Sequence, residues 1–393
     1  MNTELGKIGN VRYGLRPLLK VQMDSCTRCG LCVKWCPAVE ELGELTFSPA
    51  KKMDLLRKAS KLKSTESFIE EAKRTFYACT VCGACSAVCG SLIDTPDLWE
   101  SVRTGLVEQG MGPYGRQIGF VSRVKSKYNP YDEAPNTRLN WLPKDIEVAK
   151  KADLGLYIGC TQAYRQQEYA ILTARLLQKL GIKFTLLGNE EWCCGSPLLR
   201  TGQEELVPGL VKHNVDAFKE KGVRRVVYTC AGCFRTSLID WPKYEEMPFE
   251  VNHVTQLLAE LINKNYIDAS KLNPFEKVVT YHDPCHLGRH IGIYDEPRLV
   301  LSTIPKIDFI EMKRSKETSR CCGAGGGVKT GMPDLAMKMS IRRLKDAIDT
   351  EASTLVTSCP FCLLNFKDGI KEAKVGLEVL DLTELIANQL RIT

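Results

Sequence analysis

The sequence lacks the apolar segments that would place it in or across a membrane. Its 393 residues contain no run of 18 uncharged apolar residues, which a spanning helix needs. The stretch 1–20 has no apolar core of signal-peptide length and no small-residue cleavage site. We therefore expect a cytoplasmic protein, one that could still dock at the cytoplasmic face of a membrane through a partner.

Nucleotide-binding and nucleic-acid-binding patterns are also missing. The segment GAGGGVKT has Val328 where a phosphate-binding loop needs glycine before Lys329, and no G-x-G-x-x-G follows a predicted strand. No flavin or nicotinamide site is therefore predicted. The net charge of +7 is modest, and basic runs such as KKMDLLRKASKLK carry apolar residues at helical spacing. This pattern favours a solvated helix face over a nucleic-acid surface.

Cysteine is the residue in excess, with 18 in the chain. In a reducing compartment this number favours metal binding over structural disulfides. Eight of them form two copies of C-x2-C-x2-C-x3-C, in CTRCGLCVKWCP and CTVCGACSAVCG. This spacing is typical of chains that hold [4Fe–4S] cubanes. Zinc in two four-cysteine sites is the alternative, but zinc sites seldom use a triple C-x2-C-x2-C. The eight are Cys26, Cys29, Cys32, Cys36, Cys79, Cys82, Cys85 and Cys89.

The two motifs resemble the two-cluster bacterial ferredoxins. That resemblance implies that the fourth cysteine of each motif crosses to the other cluster. One cubane would then be held by Cys26, Cys29, Cys32 and Cys89, and the other by Cys79, Cys82, Cys85 and Cys36. Between the motifs, apolar residues recur every three or four positions, which predicts a helical spacer over 48–77.

The other ten cysteines form two sets of five with matched spacing. The patterns are C-x32-CC-x35-C-x2-C and C-x35-CC-x36-C-x2-C, and matching members lie 125 to 129 residues apart. A period this long indicates duplicated domains rather than a solenoid. The first set is Cys160, Cys193, Cys194, Cys230 and Cys233, and the second is Cys285, Cys321, Cys322, Cys359 and Cys362.

Each repeat alternates short apolar strands with helical segments, which predicts an α/β fold with a mainly parallel sheet. Several of the cysteines follow predicted strands, where such folds gather their ligands. We predict a small helical ferredoxin-like module over 1–110, a wrapping linker over 111–150, and two duplicated domains over 151–272 and 273–393.

Five thiolates exceed the four that a zinc ion or a regular cubane accepts. An adjacent pair, a C-x2-C and one distant cysteine suit a larger or irregular iron–sulfur cluster in each repeat. Redox disulfides are an alternative, but they would leave six cysteines unexplained. Structural thiols are another, but they would not repeat at matched spacing.

A two-cluster module followed by two sets of five cysteines, each with a CCG triplet, resembles the heterodisulfide reductases, and most closely their fused D-type subunits. The segments that carry this resemblance include EWCCGSPLLRTGQ, YTCAGCFRTSLIDWP, TYHDPCHLGRH, RCCGAGGGVKTGMPDLA and SCPFC. It implies that each set of five holds a non-cubane [4Fe–4S] cluster. It also implies that these ten cysteines form the catalytic centre and that two further [4Fe–4S] cubanes supply it with electrons.

The family's substrate is the mixed disulfide of coenzyme M and coenzyme B, which implies an anaerobic enzyme of methanogenesis. An iron–sulfur chain of this type needs a redox partner, so we expect a hetero-oligomeric complex with a membrane cytochrome b or a soluble flavin or iron–sulfur subunit. Two other functions stay open. One is electron transfer or bifurcation within a complex such as ATP-independent benzoyl-CoA reductase. The other is the iron–sulfur subunit of a glycolate, lactate or glycerol-3-phosphate dehydrogenase.

Three histidines surround Cys285 in HDPCHLGRH. Hydrogen bonding to cluster sulfur and packing at the strand end are one interpretation, and proton donation to a product thiolate is the other. Three basic residues could bind an anionic substrate tail or simply lie at the surface. The histidines are His282, His286 and His290, and the basic residues are Lys329, Arg200 and Arg289.

Overall fold

The computed structural model describes residues 6–8, 11–13, 17–59 and 66–392. The chain divides into two compact units. The first unit consists of residues 1–121, 197–205 and 317–343, and the second of residues 122–196, 206–316 and 344–393. Each cysteine-rich repeat therefore contributes one excursion, 197–205 or 317–343, to the unit that contains the ferredoxin-like motifs.

The described residues form eighteen α-helices: α1 (Pro17–Asp24), α2 (Pro37–Leu42), α3 (Pro49–Ala59), α4 (Glu66–Tyr77), α5 (Ala84–Ala87), α6 (Thr95–Glu108), α7 (Gly119–Lys127), α8 (Gly159–Arg165), α9 (Gln167–Lys179), α10 (Ser196–Leu199), α11 (Val207–Glu220), α12 (Ala231–Arg235), α13 (Val254–Asn263), α14 (Asp295–Thr303), α15 (Val328–Gly331), α16 (Pro333–Ile348), α17 (Pro360–Ala373) and α18 (Leu382–Gln389). No helix within the described ranges is long and apolar enough to cross a membrane.

The same residues form ten strands: β1 (Gly6–Ile8), β2 (Val11–Tyr13), β3 (Leu154–Tyr157), β4 (Phe184–Leu186), β5 (Arg225–Tyr228), β6 (Glu250–His253), β7 (Val278–His282), β8 (Asp308–Phe309), β9 (Thr354–Thr357) and β10 (Glu378–Asp381). The strands β1 and β2 pair antiparallel near the N-terminus.

The other eight strands form two parallel sheets with the same topology. The first sheet has the order β4-β3-β5-β6, and the second has β8-β7-β9-β10. Every neighbouring pair in both sheets is parallel. In each repeat the second strand pairs with one edge of the first strand, and the third strand pairs with its other edge. The chain thus changes direction across the sheet, which creates a switch point between the first and third strands. Ligands of parallel α/β folds bind at such points. The α/β fold with duplicated parallel domains is confirmed.

The short apolar strands form because both of their faces are covered. All four residues of β3 and all four of β9 are buried, as expected for parallel strands with helices on both sides. Residues from both sheets share one hydrophobic core in the second unit, which includes Leu156, Val227, Val279 and Val356. The two sheets therefore pack together as one body.

The predicted spacer over 48–77 is two helices, α3 and α4, and residues 60–65 lie outside the described ranges. The predicted linker contains α7, and its residues 122–150 belong to the second unit. The proposed boundaries 1–110, 111–150, 151–272 and 273–393 stay predictions.

Candidate metal centres

The two ferredoxin-like loops have the same backbone conformation. The second residue after the first cysteine has a positive φ in both, 61° at Arg28 and 55° at Val81. The glycine two positions further on also has a positive φ, 77° at Gly30 and 73° at Gly83. Since β-branched residues avoid this region, Val81 indicates that the surrounding structure holds the loop in a strained conformation.

In the first unit, four exposed or partly exposed thiols line one cavity beside the buried Cys85, and we call it the outer cavity. They are those of Cys26, Cys29, Cys32 and Cys89. Cys29 is exposed, and the other three are partly exposed. The fourth thiol comes from the second motif, as the ferredoxin resemblance implies.

A second cavity of the first unit, the inner cavity, is lined by Cys36, Cys79, Cys82 and Cys85. Three of these are buried and Cys79 is partly exposed. Here the fourth thiol comes from the first motif. Cys85 and Thr95 line both cavities, so the two sites are neighbours.

Burial favours the protonated form of several of these thiols. Burial, with a smaller contribution from Cys26, raises the pKa of Cys32 to about 11. Burial also raises the pKa of Cys36 and of Cys85. None of the eight is in a disulfide. Four thiols around each cavity on loops of matched shape fit a [4Fe–4S] cluster, whose positive iron would favour the thiolate form that burial disfavours.

In the second unit, the first set of five cysteines lies at the carboxyl ends of two adjacent strands. Cys160 is the second residue of α8, which follows β3, and Cys230 lies two residues after the end of β5. All five thiols are buried, and Cys194 Sγ lies 3.3 Å from Cys233 Sγ. The fold therefore gathers Cys160, Cys193, Cys194, Cys230 and Cys233 at the switch point of the first sheet.

The sulfur atoms form a continuous series of contacts. Hydrogen bonding with the thiols of Cys193 and Cys233 lowers the pKa of Cys194. Hydrogen bonding with Cys233, and to a smaller extent with Cys359, lowers the pKa of Cys230. Cys359 belongs to the second repeat, so one cysteine of the second set directly contacts the first set.

A second contact also joins the two repeats at this point. A Cβ atom at Gly232 would lie 3.6 Å from Nδ1 of His286 and 3.7 Å from Sγ of Cys230. His286 follows β7 by four positions, so the carboxyl ends of the two sheets face the same space within the second unit.

The second set is divided between the two units. Cys285, Cys359 and Cys362 belong to the second unit, and Cys359 makes thiol hydrogen bonds with Cys230 and with Cys362. Cys321 and Cys322 lie on the excursion 317–343 of the first unit. The assembly of all five around one cluster stays a prediction.

Sequence reasoning missed Arg138, which lies in the predicted linker. Its Nη1 is 3.5 Å from Sγ of Cys160, and the guanidinium forms an ion pair with Glu191. Glu191 also accepts hydrogen bonds from the backbone N–H groups of Ile158 (3.0 Å) and Gly159 (2.8 Å). Arg138 and Glu191 are both buried. The pair thus fixes the backbone that carries Cys160 and places a positive charge beside its sulfur. A lone arginine in a proline-punctuated segment gives no pattern from which this role could be found.

The glycines of GAGGGVKT serve close packing in the first unit. A Cβ at Gly326 would lie 2.5 Å from the carbonyl oxygen of Cys79, and one at Gly325 would lie 2.9 Å from that of Thr80. The φ of Gly326 is +61°. The loop after the second CCG motif therefore packs against the backbone of the second ferredoxin-like motif. The composition of the loop does not indicate which backbone it packs against.

The other predicted residues have different environments. His282 is buried and packs edge-on against Phe366, with ring centroids 4.9 Å apart. His286 and His290 pack edge to face, with centroids 4.7 Å apart. Arg200 is buried in an ion pair with Glu100. This pairing occupies the Arg200 guanidinium within the first unit. Lys329 and Arg289 are partly exposed.

Two families match separate parts of the chain. The cysteine-rich domain, CCG, matches residues 154–236 and again 279–367. The 4Fe-4S dicluster domain matches residues 22–93. These matches cover β3 to β5 of the first sheet, nearly all of β7 to β9 of the second, and the two ferredoxin-like motifs.

Three curated relatives cover most of this chain. The D-type chain of a heterodisulfide reductase from Methanosarcina mazei, named for dihydromethanophenazine and CoB–CoM, is 48% identical over 94% of each chain. The B-type chain of fumarate reductase (CoM/CoB) from Methanothermobacter marburgensis is 30% identical over 93% of this chain and 72% of its own length. The EtfAB:quinone oxidoreductase of Syntrophomonas wolfei is 31% identical over 95% of this chain and 59% of its own length.

The identity to the first of these relatives extends over nearly the full length of both chains, and the matching domains carry every cysteine motif. The protein therefore belongs to the family of D-type heterodisulfide reductase subunits and is an iron–sulfur oxidoreductase component of a multi-subunit complex.

Proposed function

We propose that this chain is the catalytic subunit that reduces the mixed disulfide of coenzyme M and coenzyme B. The observation that carries the proposal is the contact between Cys230 and Cys359. It brings thiols of both repeats to the carboxyl ends of the two sheets, where a substrate could meet both cysteine sets at once.

The proposal assigns four iron–sulfur sites. The outer cavity holds one [4Fe–4S] cubane through Cys26, Cys29, Cys32 and Cys89, and the inner cavity holds another through Cys36, Cys79, Cys82 and Cys85. Each set of five holds one non-cubane [4Fe–4S] cluster. The first set has direct support, because its members lie in one unit and are in sulfur contact. The second set is assigned by its matched spacing.

When bound, such clusters supply single electrons and a Lewis-acidic iron to sulfur. Cleavage of one disulfide consumes two electrons and two protons and yields two thiols. The chain's own residues hold the site together: Glu191 fixes the backbone at Ile158 and Gly159, and Arg138 donates to Cys160. Buried walls exclude water, which strengthens each electrostatic contact within the site.

The electrons come from another subunit of the complex, for which a membrane cytochrome b and a soluble flavin or iron–sulfur protein are the two candidate types. We propose that they enter at the outer cavity, because Cys29 is exposed there. Electrons then pass to the inner cavity, which shares Cys85 and Thr95 with the outer one.

Anaerobic purification followed by iron quantification and a viologen-coupled assay tests this function. We expect about sixteen irons per chain, from four tetranuclear clusters, and turnover of the heterodisulfide by the complex. About eight irons would contradict the two catalytic clusters.

The second candidate function is electron transfer within a larger complex. The observation that favours it is the relative named EtfAB:quinone oxidoreductase, which matches 95% of this chain. About sixteen irons without heterodisulfide turnover would support it.

A further inference from the structure

The inner and outer cavities differ in the charge around them. Lys52 is the one charged side chain among the described residues that line the inner cavity. It is fully buried, and its Nζ donates to the carbonyl oxygen of Phe47 at 2.6 Å. A neutral carbonyl does not cancel the ammonium charge, so the inner cavity has a full positive charge in its wall.

A second buried cation lies behind the same cavity. Arg103 is fully buried on α6 and donates to four backbone carbonyls. The distances from its guanidinium nitrogens are 2.5 Å to the oxygen of Cys79, 2.6 Å to Phe76, 2.5 Å to Arg200 and 2.9 Å to Gly326. Cys79 lines the inner cavity, so the guanidinium is one carbonyl away from a proposed ligand.

Arg103 also joins three segments of the first unit. Its carbonyl acceptors lie at or just before the second ferredoxin-like motif, on the excursion 197–205 and in the GAGGGVKT segment of 317–343. A Cβ at Gly202 would lie 2.4 Å from the carbonyl carbon of Arg103, which leaves no space for a side chain there. Glu100, a buried carboxylate on the same helix, is already paired with Arg200.

The outer cavity has a weaker and more exposed charge. Among its described lining residues, Arg28 is the one charged side chain, and it is 63% exposed and ion-paired with Asp54 at 3.4 Å. Arg57 donates to the carbonyl oxygens of Met23 and Cys26 and lies 3.9 Å from the same Asp54 carboxylate. Solvent and Asp54 therefore offset much of the positive charge at this cavity.

We infer that Lys52 and Arg103 set the direction of electron flow by making the inner cluster easier to reduce than the outer one. Reduction adds one negative charge to a cluster, and a nearby buried cation stabilises that charge more than a screened surface cation does. Electrons that enter at the exposed outer cavity would then pass on to the inner one. This inference rests on the proposed assignment of a cubane to each cavity.

Redox titration of the anaerobically purified complex, followed by electron paramagnetic resonance, tests the inference. The variants Lys52→Met and Arg103→Gln remove one charge each, and Lys52→Arg and Arg103→Lys retain it. Arg28→Gln is the matched control at the outer cavity. Cys29→Ser, which alters an outer ligand, identifies the signal of the outer cluster.

In the wild-type protein the inner cluster should be reduced first. At the potential where it is half reduced, each charge-removing variant should lower its ratio of reduced to oxidised form about tenfold. For a one-electron couple this is a shift of about 59 mV. The outer signal should not move in these variants, and Arg28→Gln should move neither signal.

Three outcomes would overturn the inference. The first is an outer cluster that is reduced before the inner one. The second is a pair of charge-removing variants with full iron and wild-type titrations. The third, decisive where those variants lose iron, is a shift of about 59 mV in the charge-retaining variants, because packing rather than charge would then set the potential. A wild-type chain without cubane iron would instead contradict the proposed function itself.

Discussion

At the end of the fourth strand, the first repeat has His253 and the second has Asp381. Each side chain caps the following helix in the same way, accepting from the backbone N–H of Thr255 or of Thr383. Both are buried. Burial lowers the pKa of His253 to about 3 and raises that of Asp381 to about 7. Two residues of opposite charge type thus do one structural task, and burial favours the neutral form of each.

The residue before each doubled cysteine differs as well. Trp192 lies between two rings, with centroids 3.9 Å from Tyr128 and 3.5 Å from His213. Its counterpart Arg320 instead forms an ion pair with Glu40 at 2.8 Å in the first unit. The duplication therefore preserves sheet order and cysteine spacing, while the supporting contacts have diverged. The proposed ligand function of both sets would account for the cysteines that are preserved, and different supporting contacts would adjust each set separately.

The largest expected effect tests whether the two cysteine sets are equivalent. Cys193→Ala should remove one non-cubane cluster, about four irons, and abolish heterodisulfide turnover while both cubanes remain. Cys321→Ala should do the same through the second set. Iron quantification and electron paramagnetic resonance measure both, with Ser196→Ala as a control beside the first doublet. Unchanged iron in either cysteine variant would contradict the assignment of that set.

The next effect concerns the ion pairs near the first strand of each sheet. Arg138→Gln should lower the free energy of unfolding by about 3 to 5 kcal/mol, because it leaves the Glu191 charge buried without its partner. Arg298→Gln in the second repeat should have a smaller effect. The Arg298 side chain is more exposed than that of Arg138, 13% against 3%, so water can replace part of its contact with Asp283.

Anaerobic denaturant titration of the cluster-loaded chain measures both variants. Arg138→Lys, which keeps the charge, should recover part of the loss. Equal losses in Arg138→Gln and Arg298→Gln would mean that the two repeats depend on their ion pairs to the same extent.

The contrast between matched cysteines and diverged supporting contacts also separates the features that the sequence predicts from those that it does not. The cysteines were predictable because metal ligation demands one residue type at fixed spacing, and the parallel sheets because buried strands such as LGLY are continuously apolar. Arg138 and Arg103 were not, because each acts through contacts with residues far away in sequence, as Arg103 does with Gly326. The division of the second set between two units was also hidden, since spacing carries no information on which body a loop joins.

The capping pair predicts opposite pH dependences. His253 has a folded pKa below its unfolded value of 6.5. Its contribution to the stability of the folded chain is therefore fully present above that pH and is lost as the pH falls. At pH 5 the wild type should therefore have lost about 2 kcal/mol relative to His253→Asn. The pKa of Asp381 is raised in the folded chain, so this residue lowers the free energy of unfolding more and more as the pH rises from about 4 towards 7.

Unfolding of both variants from pH 5 to 8 measures these trends. The advantage of His253→Asn over the wild type should grow towards acid, and that of Asp381→Asn should grow towards neutral pH. Parallel curves for wild type and variants would show that these side chains ionise equally in the folded and unfolded chains.

The smallest expected effect comes from the aromatic stack of the first repeat. Trp192→Leu keeps an apolar side chain but loses two ring contacts, so the free energy of unfolding should fall by about 1 to 2 kcal/mol. The counterpart change, Glu40→Gln, weakens the ion pair of Arg320 and should lower it by about 1 kcal/mol or less. High salt should reduce the difference between Glu40→Gln and the wild type, because it screens an ion pair, but not that of Trp192→Leu. A salt-dependent effect at Trp192 would mean that the stack acts through charge, and the supporting contacts of the two repeats would then be less different than their residues indicate.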